Sequence, residues 1–323
     1  METSAYLFAH FKEKRTPDGE QVYFGLSRDG YHWEAVNGGE PVLTSGIGDG
    51  GVRDFCIYRT RENSFVLLAT DLSLANHFHG KYQSDWDIVN QKGSPYLILW
   101  KSDDLVHWTE PRQVRVVDDS YGCAWAPDII AIDGTDEYLV HWSSVKKGDE
   151  HRRMAIYAAT TKDFVHYSEP FAFARKEGTQ IIDSNVVYHD GWYYRFIKWN
   201  VGKGHVYMER GRTLLPKTGS GLSAENGWEQ MPAFDAEMAK LEAGQYEAPT
   251  CFRMADGRWC LMLDFYGTKV PEEQGYVPFV ADDIATGKFV RSDAEFSFPY
   301  KFKHGTVMPV TAEEYDRVKK AFG

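Results

Sequence analysis

Apolar and polar positions recur along this chain in a repeated block. An apolar strand runs into Ser or Thr followed by Asp, and an aromatic residue comes a few places later. The block reads Val22-Tyr-Phe-Gly-Leu-Ser-Arg-Asp-Gly-Tyr-His-Trp33, then Leu97-Ile-Leu-Trp-Lys-Ser-Asp-Asp-Leu-Val-His-Trp108, then Ile156-Tyr-Ala-Ala-Thr-Thr-Lys-Asp-Phe-Val-His-Tyr167. Weaker copies lie at 206–210 and 276–289. Turn-forming residues between two apolar runs mark a hairpin, so each copy predicts the outer part of a small antiparallel sheet. Second strands are expected upstream of the copies, at 5–11, 65–71, 137–143, 192–199 and 258–265. Third apolar runs are expected at 52–58, 126–132, 182–188, 246–252 and 303–310.

Five groups of about four strands predict an all-β fold, a five-bladed β-propeller. The last inner run lies at the C-terminus and the strands that would follow it lie at the N-terminus. N-terminal strands pairing with the C-terminal inner strand would close the ring without an exposed edge. Residues 1–323 are therefore read as one domain. Helix is expected only near 234–241 and after Thr311, where Thr311-Ala-Glu-Glu314 has the form of a capping box.

Composition narrows the function. Aromatic residues make up 15 % of the chain, which suits strands and also surfaces that stack sugar rings. A formal net charge of -11 argues against a phosphate-tracking role, so no nucleic-acid partner is expected. No apolar run approaches the length of a membrane span, and no signal-peptide pattern is seen. An intact chain would then be cytoplasmic, and a chain trimmed of a leader secreted or periplasmic. Cys56, Cys123, Cys251 and Cys260 have no zinc-type spacing and are expected to be reduced packing residues.

Candidate chemistry lies at the inner runs. Each places a titratable group near the start of its apolar stretch: Asp54, Asp128, Asp183, Glu247 and His304. The expectation is that five blades aim these groups at one mouth of the channel. Asp is also common in strand-entry turns, but that reading weakens when five strands share the pattern. Clustered carboxyl groups suit glycoside hydrolysis, in which one group protonates the leaving oxygen and another activates water or attacks.

These motifs resemble glycoside hydrolase family 43 over essentially the whole chain. The carriers are Arg53-Asp54-Phe55, Ala124-Trp-Ala-Pro-Asp128, Ile182-Asp183-Ser-Asn-Val, Tyr246-Glu247-Ala-Pro249 and His304-Gly-Thr-Val307. The segments Trp100 to Trp108 and Tyr194-Arg-Phe-Ile-Lys198 are similar as well. The resemblance implies a five-bladed propeller that inverts the anomeric centre, with Asp54 as general base and Glu247 as general acid. It implies that Asp183 keeps that acid protonated and aligned. Phe55 and Ala248 depart from the family's usual Asp-Pro and Glu-Gly-Pro.

The resemblance also likens His304 to a residue that helps hold a hydrated cation, a structural calcium in the channel. The alternative is a His hydrogen-bonded within the channel. No cofactor is expected for the chemistry itself. Phe55, Trp125, Asp128, Trp86 and Arg195 are assigned to substrate binding, with a core role as the alternative for Trp125 and a structural one for Asp128. The long loop from Leu72 to Ser94, with His77, His79 and Trp86, is expected to line the pocket or lie on the surface.

The function expected is an exo-acting inverting hydrolase that releases α-L-arabinofuranose from plant glycans, its partner being the carbohydrate substrate alone. The alternatives are a β-D-xylosidase of the same fold and a non-catalytic carbohydrate-binding propeller.

Overall fold

The computed structural model describes residues 4–12, 16–148, 153–200, 205–215, 227–241, 245–270 and 273–323. It contains five four-stranded antiparallel sheets arranged as a five-bladed β-propeller. The first blade runs outward through Val52–Arg59, Phe65–Asp71, Tyr96–Ser102 and Arg112–Arg115. The second uses Trp125–Ala131, Tyr138–Val145, Met154–Thr161 and Phe171–Ala174. Ile181–His189, Trp192–Trp199, Val206–Gly211 and Trp228–Gln230 form the third. Tyr246–Arg253, Trp259–Phe265, Gly275–Ala281 and Val290–Arg291 form the fourth.

The fifth blade takes its inner strand, Thr306–Val310, from the C-terminus and Ala5–His10, Tyr23–Ser27 and Trp33–Ala35 from the N-terminus. Ala5 pairs with Val310 and Ala9 with Thr306, so the ring closes by hydrogen bonds as expected. The helix Ala312–Phe322 follows, and its capping box is present: Glu314 N donates to Thr311 Oγ1 at 3.2 Å and Thr311 N to Glu314 Oε2 at 2.8 Å. Glu314 also accepts two bonds from Arg59 at 2.7 and 2.6 Å, which ties the end of blade five to blade one.

The middle strands are apolar on both faces because each sheet is covered on both sides. In Ala5–His10, Leu7 and Ala9 pack toward blade one, whereas Tyr6 and Phe8 pack toward blade four. The recurring Ser/Thr-x-Asp block is a turn. Ser102 Oγ accepts the Asp104 and Leu105 amides, and Asp104 Oδ1 accepts those of Val106 and His107. The same bonds recur at Ser27–Asp29 and Thr161–Asp163. All four cysteines are buried and reduced.

The inner strands carry the feature that builds the site. Those of blades one to four each hold one extra residue, a β-bulge, between Arg53 and Cys56, Trp125 and Asp128, Ile182 and Ser184, and Glu247 and Thr250. In each, one residue has positive φ: Asp54 (54°), Ala126 (49°), Asp183 (50°) and Ala248 (53°). Such a bulge re-aims side chains at a strand entry.

Candidate active site

The bulges set a common register. Arg53, Trp125, Ile182 and Glu247 precede the bulge, Asp54, Ala126, Asp183 and Ala248 form it, and Cys56, Asp128, Asn185 and Thr250 follow it. The expected ring of five titratable groups is therefore corrected to four. Asp54, Asp183, Glu247 and His304 act on one another electrostatically at the strand entries, and Asp128 lies one step deeper.

Asp128 belongs to a belt around the channel. Cys56 Sγ donates to Asp128 Oδ1 at 3.3 Å, and the Val186 amide and Asn185 Nδ2 donate to Asp128 Oδ2 at 3.1 Å. The Cys251 amide donates to Asn185 Oδ1 at 2.9 Å, the Val307 amide to Thr250 Oγ1 at 3.5 Å, and the Ile57 amide to Thr306 Oγ1 at 2.9 Å. These bonds join all five blades in turn. Asp128 is thus a structural residue, with burial raising its pKa to about 6. It also borders a cavity of about 710 Å³ lined by Tyr58, Arg59, Tyr188 and Pro309 at the far ends of the inner strands. None of Asp54, Asp183, Glu247 and His304 lines that cavity.

Each bulge amide from blade two to blade four is held by the blade before it. Ala126 N donates to Thr70 Oγ1 and Asp183 N to Ser143 Oγ, both at 2.8 Å, and Ala248 N donates to Asp183 Oδ2 at 3.3 Å. Positive φ is costly for a residue with a side chain, and these bonds help offset it.

The electrostatics divide the carboxyl groups. Burial opposes ionisation of Asp54, but the His304 cation overrides it: Nδ1 lies 3.1 Å from Asp54 Oδ1, and the Asp54 pKa falls below its ordinary value. Burial lowers the His304 pKa, yet Asp54 and Asp183 outweigh it and raise it to about 9. The other two shifts run the opposite way. Burial, with Asp54 adding to it, raises Asp183 to about 6, and burial with the Asp183 charge raises Glu247 to about 8. One carboxylate is therefore kept ionised and another kept protonated near neutral pH, the division that acid–base chemistry needs.

Charged residues that sequence reasoning did not single out complete this environment. Lys198 Nζ donates to the Tyr246 carbonyl at 2.8 Å and to Tyr266 Oη at 2.9 Å, against the backbone that carries Glu247. Lys303 Nζ pairs with Asp264 Oδ1 at 2.7 Å in full burial, and both act on Glu247. The available signal was a charged residue inside an otherwise apolar strand, as in Trp192–Trp199 and Trp259–Phe265.

The loop from Leu72 to Ser94 forms two short helices, Leu74–His77 and Trp86–Lys92. Glu20, buried, accepts from Arg53 Nη1, Ser73 Oγ and the amides of Leu74 and Ala75. Asp49 accepts from Lys81 at 2.7 Å and from Tyr82 at 2.5 Å. The loop is thereby fixed beside the strand entry of blade one, and it brings Trp86 to Trp125 edge-to-face with ring centroids 6.4 Å apart. Trp125 holds in blade two the position that Glu247 holds in blade four, and Trp86 is 51 % exposed. These two aromatics remain candidates for a sugar platform.

Two other assignments are corrected. Phe55 is 1 % exposed and packs in the core with Phe11 and Leu67, because the bulge turns it away from the mouth. Arg195 is fully buried: it pairs with Glu209 at 2.6 Å, donates to the Phe173 carbonyl and stacks on Trp228. It ties blade three to blade two and does not reach the channel mouth.

The donor set does not fit a directly bound metal. His304 Nδ1 is engaged by Asp54 Oδ1 at 3.1 Å and is not offered to a directly bound ion. Among the described residues no three His, Cys, Asp or Glu side chains form a ligand cluster. His79 Nδ1 bonds Ser84 Oγ at 2.7 Å.

Comparison with known proteins agrees with this architecture. The chain is 26 % identical over 318 residues to an α-L-arabinofuranosidase of Bifidobacterium longum subsp. longum, an alignment covering 88 % of this chain and 28 % of that protein. The chain thus spans little more than a quarter of that relative's length. Among solved structures, the α-L-arabinanase of Cellvibrio cellulosa in complex with arabinohexaose superposes with a TM-score of 0.57 at 15 % identity, covering 91 % of this chain and 94 % of that one. The GH43 protein BlXynB of Bacillus licheniformis also gives 0.57 at 13 % identity, covering 96 % and 57 %. Residues 2–316 match a family model described as a probable glycosyl hydrolase domain related to glycoside hydrolase family 43, and the chain belongs to that family.

Proposed function

We propose that the chain hydrolyses terminal α-L-arabinofuranosidic bonds with inversion of the anomeric centre. The observation that carries this reading is the opposed pKa shifts of Asp54 and Glu247, on the inner strands of blades one and four, with Asp183 acting on the acid between them. Asp54, ionised beside His304, takes a proton from water as the water oxygen bonds to the anomeric carbon. Glu247, protonated, gives its proton to the leaving oxygen as the glycosidic bond breaks. Asp183 keeps Glu247 protonated by like-charge repulsion and holds the Ala248 amide beside it.

The sugar is suggested by the arabinofuranosidase relative. The Trp86–Trp125 corner and the fixed loop at 72–94 support a walled pocket that takes a chain end.

The test is hydrolysis of 4-nitrophenyl α-L-arabinofuranoside beside the β-D-xylopyranoside, with Asp54→Asn as control and the first-formed anomer read by NMR. Arabinofuranoside turnover that is lost in the variant, with the β-anomer formed first, is expected. Preference for the xyloside would replace the sugar, a retained α-anomer would replace the mechanism, and no turnover of either would favour a binding protein.

A further inference from the structure

Positive charge is concentrated on one part of this acidic chain. Although the net charge is -11, Lys146, Lys147, Arg153, Arg175 and Lys176 line a single groove of about 640 Å³. Glu177 is the one carboxylate among its described lining residues. The volume falls in the usual range of small-ligand sites, about 300–1,000 Å³.

The groove lies on the catalytic face. Trp125 pairs with Ser143, so the residues that follow Val145 emerge at the Trp125 end of blade two, and Met154 returns opposite Val145. Met154, on the groove floor, belongs to a cluster with Cys123 and Val145, against which Trp125 and Ile182 pack. Ile182 directly precedes Asp183. The opposite wall comes from the loop before Ile181–His189, where Thr179 accepts from Trp199 Nε1 at 2.6 Å.

Among the described residues these cations make their close contacts with neutral groups, and Lys146 also acts at longer range on the Asp118 carboxylate. Arg175 donates to Tyr157 Oη at 3.1 Å and Lys147 to the Asp119 carbonyl at 3.1 Å. Lys176 Nζ sits 3.9 Å from the Tyr207 ring centroid, and Lys146 Nζ 5.6 Å from that of Tyr121. Among the described residues none of the five forms an ion pair with a carboxylate, residues 149–152 lying outside them. Five like charges in one groove repel one another, and a carboxylate-bearing ligand would relieve that while accepting hydrogen bonds from Arg and Lys.

We propose that this groove is an aglycone subsite for a uronic-acid residue, so that the glycan being trimmed is an acidic polysaccharide. The proposal rests on the reading of the centre as one that releases arabinofuranose. A neutral arabinan or arabinoxylan would use the catalytic mouth but bring no anion to the groove's excess of positive charge.

The experiment is calorimetric binding of trigalacturonic acid, and of the same trimer with its carboxyl groups reduced to alcohols, to the full chain. Binding needs no turnover, so the groove can be judged even if aryl arabinofuranosides are not hydrolysed. That failure would sink the catalytic reading separately. The acidic trimer should bind about tenfold more tightly than the reduced one, and raising salt to about 0.3 M should narrow the gap. Lys147→Ser/Arg153→Ser should weaken acidic-trimer binding about fivefold or more and leave aryl arabinofuranoside hydrolysis unchanged. Equal binding of the two trimers, or no effect of the double substitution, would overturn the proposal. A trimer that binds without slowing hydrolysis of an arabinosylated oligosaccharide would overturn its placement as an aglycone subsite.

Discussion

Asp183→Asn isolates the charge that keeps Glu247 protonated. The substitution retains an oxygen to accept the Ala248 amide, now 3.3 Å from Oδ2, so the bulge of blade four keeps its bond. What is lost is a negative charge beside the acid. Glu247 is raised from 4.5 to about 8, a change worth about 5 kcal/mol at about 1.4 kcal/mol per tenfold. Burial is the largest cause and Asp183 the second. Removing the Asp183 charge should lower the Glu247 pKa toward its ordinary value, leaving burial as the main cause that still raises it. At pH 7 the protonated fraction would then fall below the roughly nine-tenths that a pKa of about 8 gives. The alkaline limb of kcat/KM on a substrate with a poor leaving group should move toward acid by about 1 pH unit or more, the usual effect of one nearby charge. Asp183 itself titrates near 6, so the two enzymes should converge below that pH. A limb that stays in place while activity falls equally at every pH would refute the electrostatic role and leave Asp183 as an aligning residue only.

Three further outcomes follow from the same geometry. His304→Gln removes the cation that lowers the Asp54 pKa, so the acid limb of kcat/KM should move to higher pH, and an unmoved limb would detach His304 from the base. Arg195→Met leaves Glu209 buried without its partner and should cost about 3–5 kcal/mol of unfolding free energy, with KM nearly unchanged; a raised KM with intact stability would restore Arg195 to the substrate. Asp128 holds its proton more tightly folded than unfolded, so its contribution favours folding at low pH and is lost as pH rises from about 4 to about 6. Asp128→Asn should remove that slope, worth at most about 3 kcal/mol, from denaturant midpoints measured across this range, and an unchanged slope would count against a buried, belt-bound Asp128.

The number of blades and the closure of the ring were legible because they depend on apolar runs and their order. Thr306–Val310 has no later strand to pair with, and Ala5–His10 no earlier one, so each supplied the other's partner. The registry of the site was not legible. A bulge announces itself when glycine occupies the positive-φ position, but Ala126 and Ala248 carry no such mark. Counting from the motifs therefore aligned Asp128 with Asp54, although the bulge places it level with Cys56. The same extra residue turns Phe55 into the core although it adjoins Asp54 in sequence. Arg195 was drawn to the substrate by its place in a motif, whereas Glu209, its ion-pair partner, lies on a different strand. Lys198 lay in a quoted motif but was given no role, Asp264 is a lone charge inside the apolar strand Trp259–Phe265, and Lys303 precedes its strand, so none announced its place beside Glu247.

The bulge separates two demands that would otherwise compete for the same positions. A propeller needs its inner strands tied side by side, and the belt from Cys56 through Asp128, Asn185 and Thr250 to Thr306 meets that need with bonds that cross every blade boundary. A hydrolytic centre needs carboxyl groups at the strand entries whose pKa values diverge, which requires burial without saturating hydrogen bonds. With one extra residue between the two sets, Asp54 and Asp183 leave the ladder and face one another's charge, while the pairing resumes at Cys56 in blade one and at Ser184 in blade three. Thr70 and Ser143, on the second strands of blades one and two, hold the bulge amides of the blades that follow. The position of Asp183 is thus set by blade two and that of Ala248 by Asp183. The geometry of Glu247, the proposed acid, consequently depends on three consecutive blades, and the closed ring that holds those blades in register is a condition of the proposed chemistry as well as of the fold.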